Sequence, residues 1–284
     1  MRFKLTLQTD TKAFGNRLPM SYQYELSAFI YRAIAQTDRE YAGWLHENGF
    51  RFNNRPFKLF TFSHLAIPKY VIDRERSCIR IDSERVEWLV SFLPETSTET
   101  FIAGLFAEQV FQIGDKHSVV QFRVERIEAL PSPVFERQMT FRTLSPVCIP
   151  FNYEGQLYAT YLSPDSPAAP AIVLNNLLNK YHTFYGKPYE GHTGDFAFRV
   201  TNQPKAKLIA IKKGTPDASN IRGYMFEFQM TAPPELLKIM YECGLGYKNS
   251  TGFGMVEVSA NQKSTIYTKK SSENGWRRGS GDDS

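Results

Sequence analysis

The chain opens on alternation. From Phe3 to Gln8 apolar and polar residues take turns, the period-two pattern of a strand with one buried face. After Leu18-Pro19 the spacing lengthens: Leu26, Ile30, Ala33 and Ile34 recur at helical intervals and predict one buried helix face. Thr37-Asp-Arg-Glu40 has the form of a capping box, so a second helix is expected to start at Thr37 and to end at Asn48-Gly49, where glycine can turn left-handed. Phe50 to Phe57 reads as a polar, aromatic, arginine-bearing loop. Lys58 to Ser63 and Ser77 to Ile81 read as strands, Val86, Leu89, Val90 and Leu93 as a helix, and Phe101 to Ile113 and Val119 to Ile127 as strands again. Strand, helix, two strands, helix, strand is the order of a ferredoxin-like βαββαβ unit.

Leu130-Pro-Ser-Pro133 marks a boundary, because proline supplies no ladder donor and stiffens a connection. The plan then repeats. Strands are predicted near Gln138 to Thr143 and Gln156 to Thr160, followed by a helix from Ala168 to Phe184 with Ile172, Leu174, Leu177, Leu178 and Tyr181 at helical spacing. Strand material follows over Arg199 to Ile211 and Gly223 to Met230, then a short helix from Pro234 to Cys243, opened by proline, and a last strand, Phe253 to Val258. The expected class is α+β, with two tandem ferredoxin-like domains over 1–130 and 134–260, alike in architecture and not in sequence. From Asn261 the chain is polar and low in complexity, and 261–284 is expected to be a disordered tail.

Composition narrows the class little: 42% apolar and 22% charged residues in 284 suit a folded protein with two cores. No run approaches membrane-spanning length and the start is strand-like, so a cytoplasmic protein with no membrane partner is expected. The three cysteines are too far apart for a disulfide framework or a paired-cysteine zinc site, and the histidines lack metal-ligand spacing; no metal or cofactor is expected. Charge says more. The chain carries a net +5, and between Arg199 and Arg222 six basic residues, Arg199, Lys205, Lys207, Lys212, Lys213 and Arg222, face one acid, Asp217. Such a run is either a solvated face or, given its alternation with Leu208, Ile209 and Ile211, a basic strand pair that can lie along a phosphate backbone.

Gly244-Leu-Gly-Tyr-Lys-Asn-Ser-Thr-Gly-Phe-Gly254 is the densest motif. It is not a dinucleotide fingerprint, since Asn249 stands where the third glycine belongs and the segment follows a helix and opens a strand. No Gly-Lys-Ser/Thr is present for a phosphate-binding loop. Against the strand signature of the RNA-recognition module, Thr251 to Val258 lacks the leading base and two stacking aromatics. Two readings stand: a structural turn, or a backbone-approach loop in which Gly244, Gly246, Gly252 and Gly254 let amides near phosphates while Lys248, Asn249 and Ser250 add charge and hydrogen bonds.

The full pattern, Gly-Leu-Gly, five residues, Gly-Phe-Gly, resembles the C-terminal signature of the repeat-associated RNA-binding proteins of CRISPR systems. Within them the chain resembles the repeat-RNA-processing endoribonucleases, the sixth family of CRISPR-associated proteins. Leu18-Pro-Met-Ser-Tyr-Gln-Tyr24, Ile30-Tyr31, Thr143-Leu-Ser-Pro-Val147, Tyr161-Leu-Ser-Pro164 and Asn179-Lys-Tyr181 carry the likeness in order along the chain to about Ser259. The resemblance implies metal-independent cleavage of precursor CRISPR RNA within repeats, by ribose 2′-hydroxyl attack leaving a cyclic phosphate. It places the catalytic histidine at His46, the active-site tyrosine at Tyr31 and the accompanying lysine at Lys58. By position alone His46 is equally a satisfied residue at a helix edge, and Tyr31 lies beside an apolar stripe and is equally core. The connection from His46 to Lys58 is longer and more basic than the family's closest pattern, leaving Arg51 or Arg55 as alternatives for the phosphate role. The expected partner is CRISPR repeat RNA, with an effector complex and a homodimer as further options. Two other functions share the features: a non-catalytic RNA-binding subunit of an effector complex, and a general single-stranded RNA binder, which the missing aromatics disfavour.

Overall fold

The computed structural model describes residues 1–53, 55–152, 160–212 and 215–259. The first half runs β1 (Arg2–Asp10), the one-turn α1 (Thr11–Phe14), β2 (Arg17–Pro19), α2 (Gln23–Thr37), α3 (Arg39–Glu47), β3 (Phe50–Phe52), β4 (Arg55–Phe57), β5 (Phe60–Phe62), β6 (Tyr70–Asp73), β7 (Cys78–Ile81), β8 (Arg85–Phe92), α4 (Glu95–Ala107), β9 (Val110–Gly114) and β10 (Val119–Leu130). The second half runs β11 (Gln138–Thr143), β12 (Pro150–Phe151), β13 (Thr160–Tyr161), α5 (Ala169–Tyr185), β14 (Ala197–Val200), β15 (Lys205–Ile211), β16 (Ser219–Met225), β17 (Glu227–Thr231), α6 (Pro234–Cys243), a 3-10 turn (Asn249–Thr251) and β18 (Val256–Val258).

Two antiparallel sheets organise these elements, β5-β8-β1-β10-β9 and β14-β17-β11-β18. In each, the unit's opening strand lies between its third and fourth, the winding of a βαββαβ unit, so the tandem ferredoxin-like class is borne out. Cross-strand register keeps one face apolar: Leu5 lies opposite Trp88 and Ile127, and Phe141 opposite Phe228 and Val258. The first face packs on Leu26, Phe29 and Ile30 of α2 and Phe101 and Leu105 of α4; the second packs on Val173 and Leu177 of α5 and Leu237 and Met240 of α6.

Several local expectations are corrected. Val86 to Phe92 lies in strand β8, not a helix, because Val86, Trp88, Val90 and Phe92 form a fully buried period-two row. Phe101 to Ile113 is the end of α4 followed by β9. The buried face of α4 is disguised by Ser97, Thr98 and Thr100, the two threonines bonding back to backbone carbonyls one turn earlier. Gly104 lets α4 cross α2 closely, since a Cβ there would lie 1.8 Å from the Ala33 carbonyl oxygen. Asp38, not Thr37, caps α3, accepting from the Tyr41 amide at 2.8 Å, while Thr37 ends α2. Phe50–Phe52 and Arg55–Phe57, expected as a loop, pair as the antiparallel strands β3 and β4. The strand at Cys78–Ile81 joins β2 and β6 in a separate sheet. Arg199 to Ile211 divides into β14 and β15, and β15 pairs with β16 as an inserted hairpin. Of the strand expected over Gln156 to Thr160, residues 156–159 lie outside the described residues, as do Lys213 and the tail from 261.

Candidate active site

Tyr31, on the last turns of α2, and His46, in the last turn of α3, meet edge to face with ring centroids 5.1 Å apart. Lys58 follows the β3–β4 hairpin, and its ammonium donates to the His46 carbonyl at 2.7 Å. That carbonyl belongs to the last turn of α3, where unpaired C=O groups and the negative end of the helix dipole attract a cation. Gly49 makes the approach possible: a Cβ there would lie 2.8 Å from the Lys58 side chain. All three residues that the resemblance selected are therefore neighbours.

Their electrostatics differ. Burial lowers the Lys58 ammonium to about 8, with the nearby Arg51 charge acting in the same direction. Burial pushes the Tyr31 phenol well above its ordinary value, and the Ser250 side chain opposes this by hydrogen-bonding to it. Tyr31 is thus a neutral phenol at physiological pH. His46 is exposed.

Ser250 brings the glycine segment into the site. It sits on the 3-10 turn, its carbonyl accepts from the Ser27 hydroxyl at 2.6 Å, and its side chain meets Tyr31. The segment's ends are buried in the joint between the halves. The Thr61 hydroxyl donates to the Phe253 carbonyl at 3.0 Å, and a Cβ at Gly252 would lie 2.8 Å from Phe62 and 2.9 Å from Gln23. The amides of Gly244, Gly252 and Gly254 are taken by the carbonyls of Met240, Asn249 and Pro146. The expectation that these glycines offer amides to phosphates is corrected in that respect: their lack of a side chain serves close packing and positive φ. Gly246 is equally confined, a Cβ there lying 2.5 Å from the Cys148 carbonyl oxygen. Asn249 spends its amide nitrogen on the Leu245 and Phe253 carbonyls. Lys248 alone of the segment is exposed.

Lys58, Arg55, Lys248 and Ser250 border a cleft of about 790 Å³ that also reaches α5. Lys180 lies beneath it, fully buried, donating to the Gly244 and Gly246 carbonyls at 2.6 and 2.9 Å; burial lowers its ammonium to about 8. The sequence motif contained Lys180 without disclosing this tie. Arg51 is exposed on β3. Lys205, Lys207 and Arg222 are exposed on the β15–β16 hairpin, where register sets Lys205 and Lys207 on one face and Arg222, opposite Leu208, on the other. Lys212 is ion-paired to Asp217 at 3.1 Å, and Arg199 is exposed on β14. The basic run is thus distributed over several surfaces. The hairpin touches the first half through the Ala210 amide and Ser21 hydroxyl at 3.3 Å, near His64, which burial and Lys207 together hold down to about 4.

Tandem ferredoxin-like units, joined by a glycine-rich segment that delivers Ser250 to a Tyr–His–Lys group, define a two-unit α+β protein with a polar site at the joint. The family model described as CRISPR-associated protein Cas6, N-terminal, matches residues 17–127, and that described as CRISPR associated protein Cas6, C-terminal, matches 130–258. The chain is 33% identical over 258 residues to the CRISPR-associated endoribonuclease Cas6 1 of Methanocaldococcus jannaschii, covering 90% of this chain and 92% of that protein. It is 28% identical over 263 residues to the CRISPR-associated endoribonuclease Cas6 of Pyrococcus furiosus, covering 92% and 91%. A solved structure of a Cas6-related gene product from Pyrococcus furiosus superposes with a TM-score of 0.77 at 27% identity, covering 92% of this chain and 99% of that one. The chain belongs to the Cas6 family of CRISPR-associated proteins.

Proposed function

We propose that this protein is an endoribonuclease that cuts precursor CRISPR RNA within its repeats, using the ribose 2′-hydroxyl as nucleophile and no metal ion. The reading is carried by the convergence of Tyr31, His46 and Lys58 at the end of α3, and the names of the two curated relatives support the reaction class. The 2′-oxygen bonds to phosphorus as its proton passes to a base, and the bond to the 5′-oxygen breaks as that oxygen gains a proton. The products are a 2′,3′-cyclic phosphate and a 5′-hydroxyl. His46 carries the proton, the imidazole being the side chain that most often does so in general acid–base catalysis. Tyr31, held neutral by burial, donates a hydrogen bond and orients the reacting group. Lys58 neutralises the phosphorane, as a positioned cation in a partly desolvated site does most effectively.

The deciding experiment incubates purified protein with end-labelled repeat RNA and EDTA. Wild type is expected to cut at one position, and His46→Ala to bind with unchanged affinity and cut at least 100-fold more slowly, in line with the roughly 10²–10⁴ a general acid–base contributes. Normal cutting by the variant removes His46 from the chemistry; a requirement for added magnesium overturns the mechanism.

A further inference from the structure

The cleft beside Lys58 has a wall that phosphate cleavage does not require. Ile172, Asn175 and Asn176 of α5 line it together with Phe57, and Arg55 and Lys248 supply cations. Asn176 is 1% exposed, and neither its amide oxygen nor its amide nitrogen has a hydrogen-bond partner among the described residues. Buried amides are nearly always satisfied, because an unmade bond leaves the desolvation cost uncompensated. Lys180 offers the contrast: equally buried and bordering the same cleft, it is satisfied by two carbonyls. Among the described residues, Asn176 is the one carboxamide whose oxygen and nitrogen are both buried and unpartnered.

We propose that this cleft is a nucleobase subsite in which Asn176 reads the edge of an adenine on the RNA strand beside the phosphate held by Lys58. The proposal deepens the ribonuclease reading and rests on it. A carboxamide presents an acceptor next to a donor, and adenine answers with its 6-amino group next to a ring nitrogen, a bidentate match to asparagine. Single-stranded RNA supplies splayed bases whose faces pack on apolar and aromatic side chains, here Ile172 and Phe57. Arg55 and Lys248 are placed for phosphates, which position the strand without reading it. The volume lies within the roughly 300–1,000 Å³ of small-molecule sites, enough for a base whose edge meets the Asn176 carboxamide once that side chain turns out from beneath the lining.

Fluorescence anisotropy with labelled r(A)8, r(C)8 and r(U)8, in EDTA and at one salt concentration, tests this without reference to cleavage. Wild type is expected to bind r(A)8 about 10-fold or more tightly than the other two, the low to middle range for one bidentate base contact. Asn176→Leu, apolar and close in size, should bind all three alike. Ile172→Trp, which fills the cleft and leaves Asn176 in place, should also lose the preference. Equal wild-type affinity for the three oligonucleotides overturns the proposal whether or not either variant folds, and so does an adenine preference that survives in a folded Asn176→Leu. Adenine preference in a protein that cuts no repeat RNA leaves the subsite standing and ends the ribonuclease reading.

Discussion

Lys58 couples charge to pH within the working range of an enzyme. Burial and Arg51 lower its ammonium to about 8, so the cation is present below that pH and is lost as pH rises through it. If Lys58 holds the phosphorane, kcat/KM, which titrates groups of the free enzyme, falls on the alkaline side with a limb near 8. Lys58→Arg keeps its charge throughout, so kcat/KM, from single turnovers at subsaturating enzyme across pH 6–10, should show a lower plateau with the alkaline limb gone. A limb at the same pH in this variant would assign it to another group. None of this was legible from Lys58 as a letter in the sequence. The resemblance placed the residue, but its pKa follows from how the β3–β4 hairpin lays it across the end of α3.

Elements decide what the glycines do. Gly254 has φ +80°, and a Cβ there would lie 2.1 Å from the Leu245 carbonyl oxygen, backbone that cannot swing aside. Gly254→Ala is therefore expected to cost more than about 1 kcal/mol, because alanine suffers both the clash and the left-handed conformation. Thermal unfolding should show a lower Tm, and repeat-RNA affinity should fall with it. Weaker RNA binding at unchanged Tm would return the loop to a direct role at the phosphate. The same scale explains the β8 and α4 reversals. Val86, Leu89, Val90 and Leu93 mimic a helical stripe only while Trp88 and Phe92 are left out, and α4 buries hydroxyl residues that do not register as apolar. Patterns with consistent apolar spacing, such as α5 and α6, match their sequence expectations within a residue or two.

Across the molecule, the halves are tied by contacts remote in sequence. Arg2, on the first strand and fully buried, donates to the Val256 carbonyl at 2.8 Å and to the Tyr241 carbonyl, with its guanidinium 3.5 Å over the Tyr241 ring. Burial lowers its pKa, opposed by Tyr241 and the carboxylates of Glu257 and Glu242. Arg2→Ala leaves two buried carbonyls without this donor and is expected to cost about 3 kcal/mol, from two hydrogen bonds to a charged group. Urea unfolding would show a lower midpoint at unchanged slope; a shift worth less than about 0.5 kcal/mol, the range of ordinary surface substitutions, would show that the joint does not depend on Arg2.

The sequence by itself determined the two-unit plan, because alternation and helical spacing are local consequences of which face is buried, and element order then leaves few topologies. It also contained the glycine pattern and the residues Tyr31, His46 and Lys58. Only the tertiary structure decided that Ser250 reaches Tyr31, that the glycines lock the joint, that the basic run is spread over several surfaces, and that Asn176 is buried without a partner among the described residues. Those facts depend on which distant segments share a surface, and burial and pairing between them leave no periodic mark on the chain.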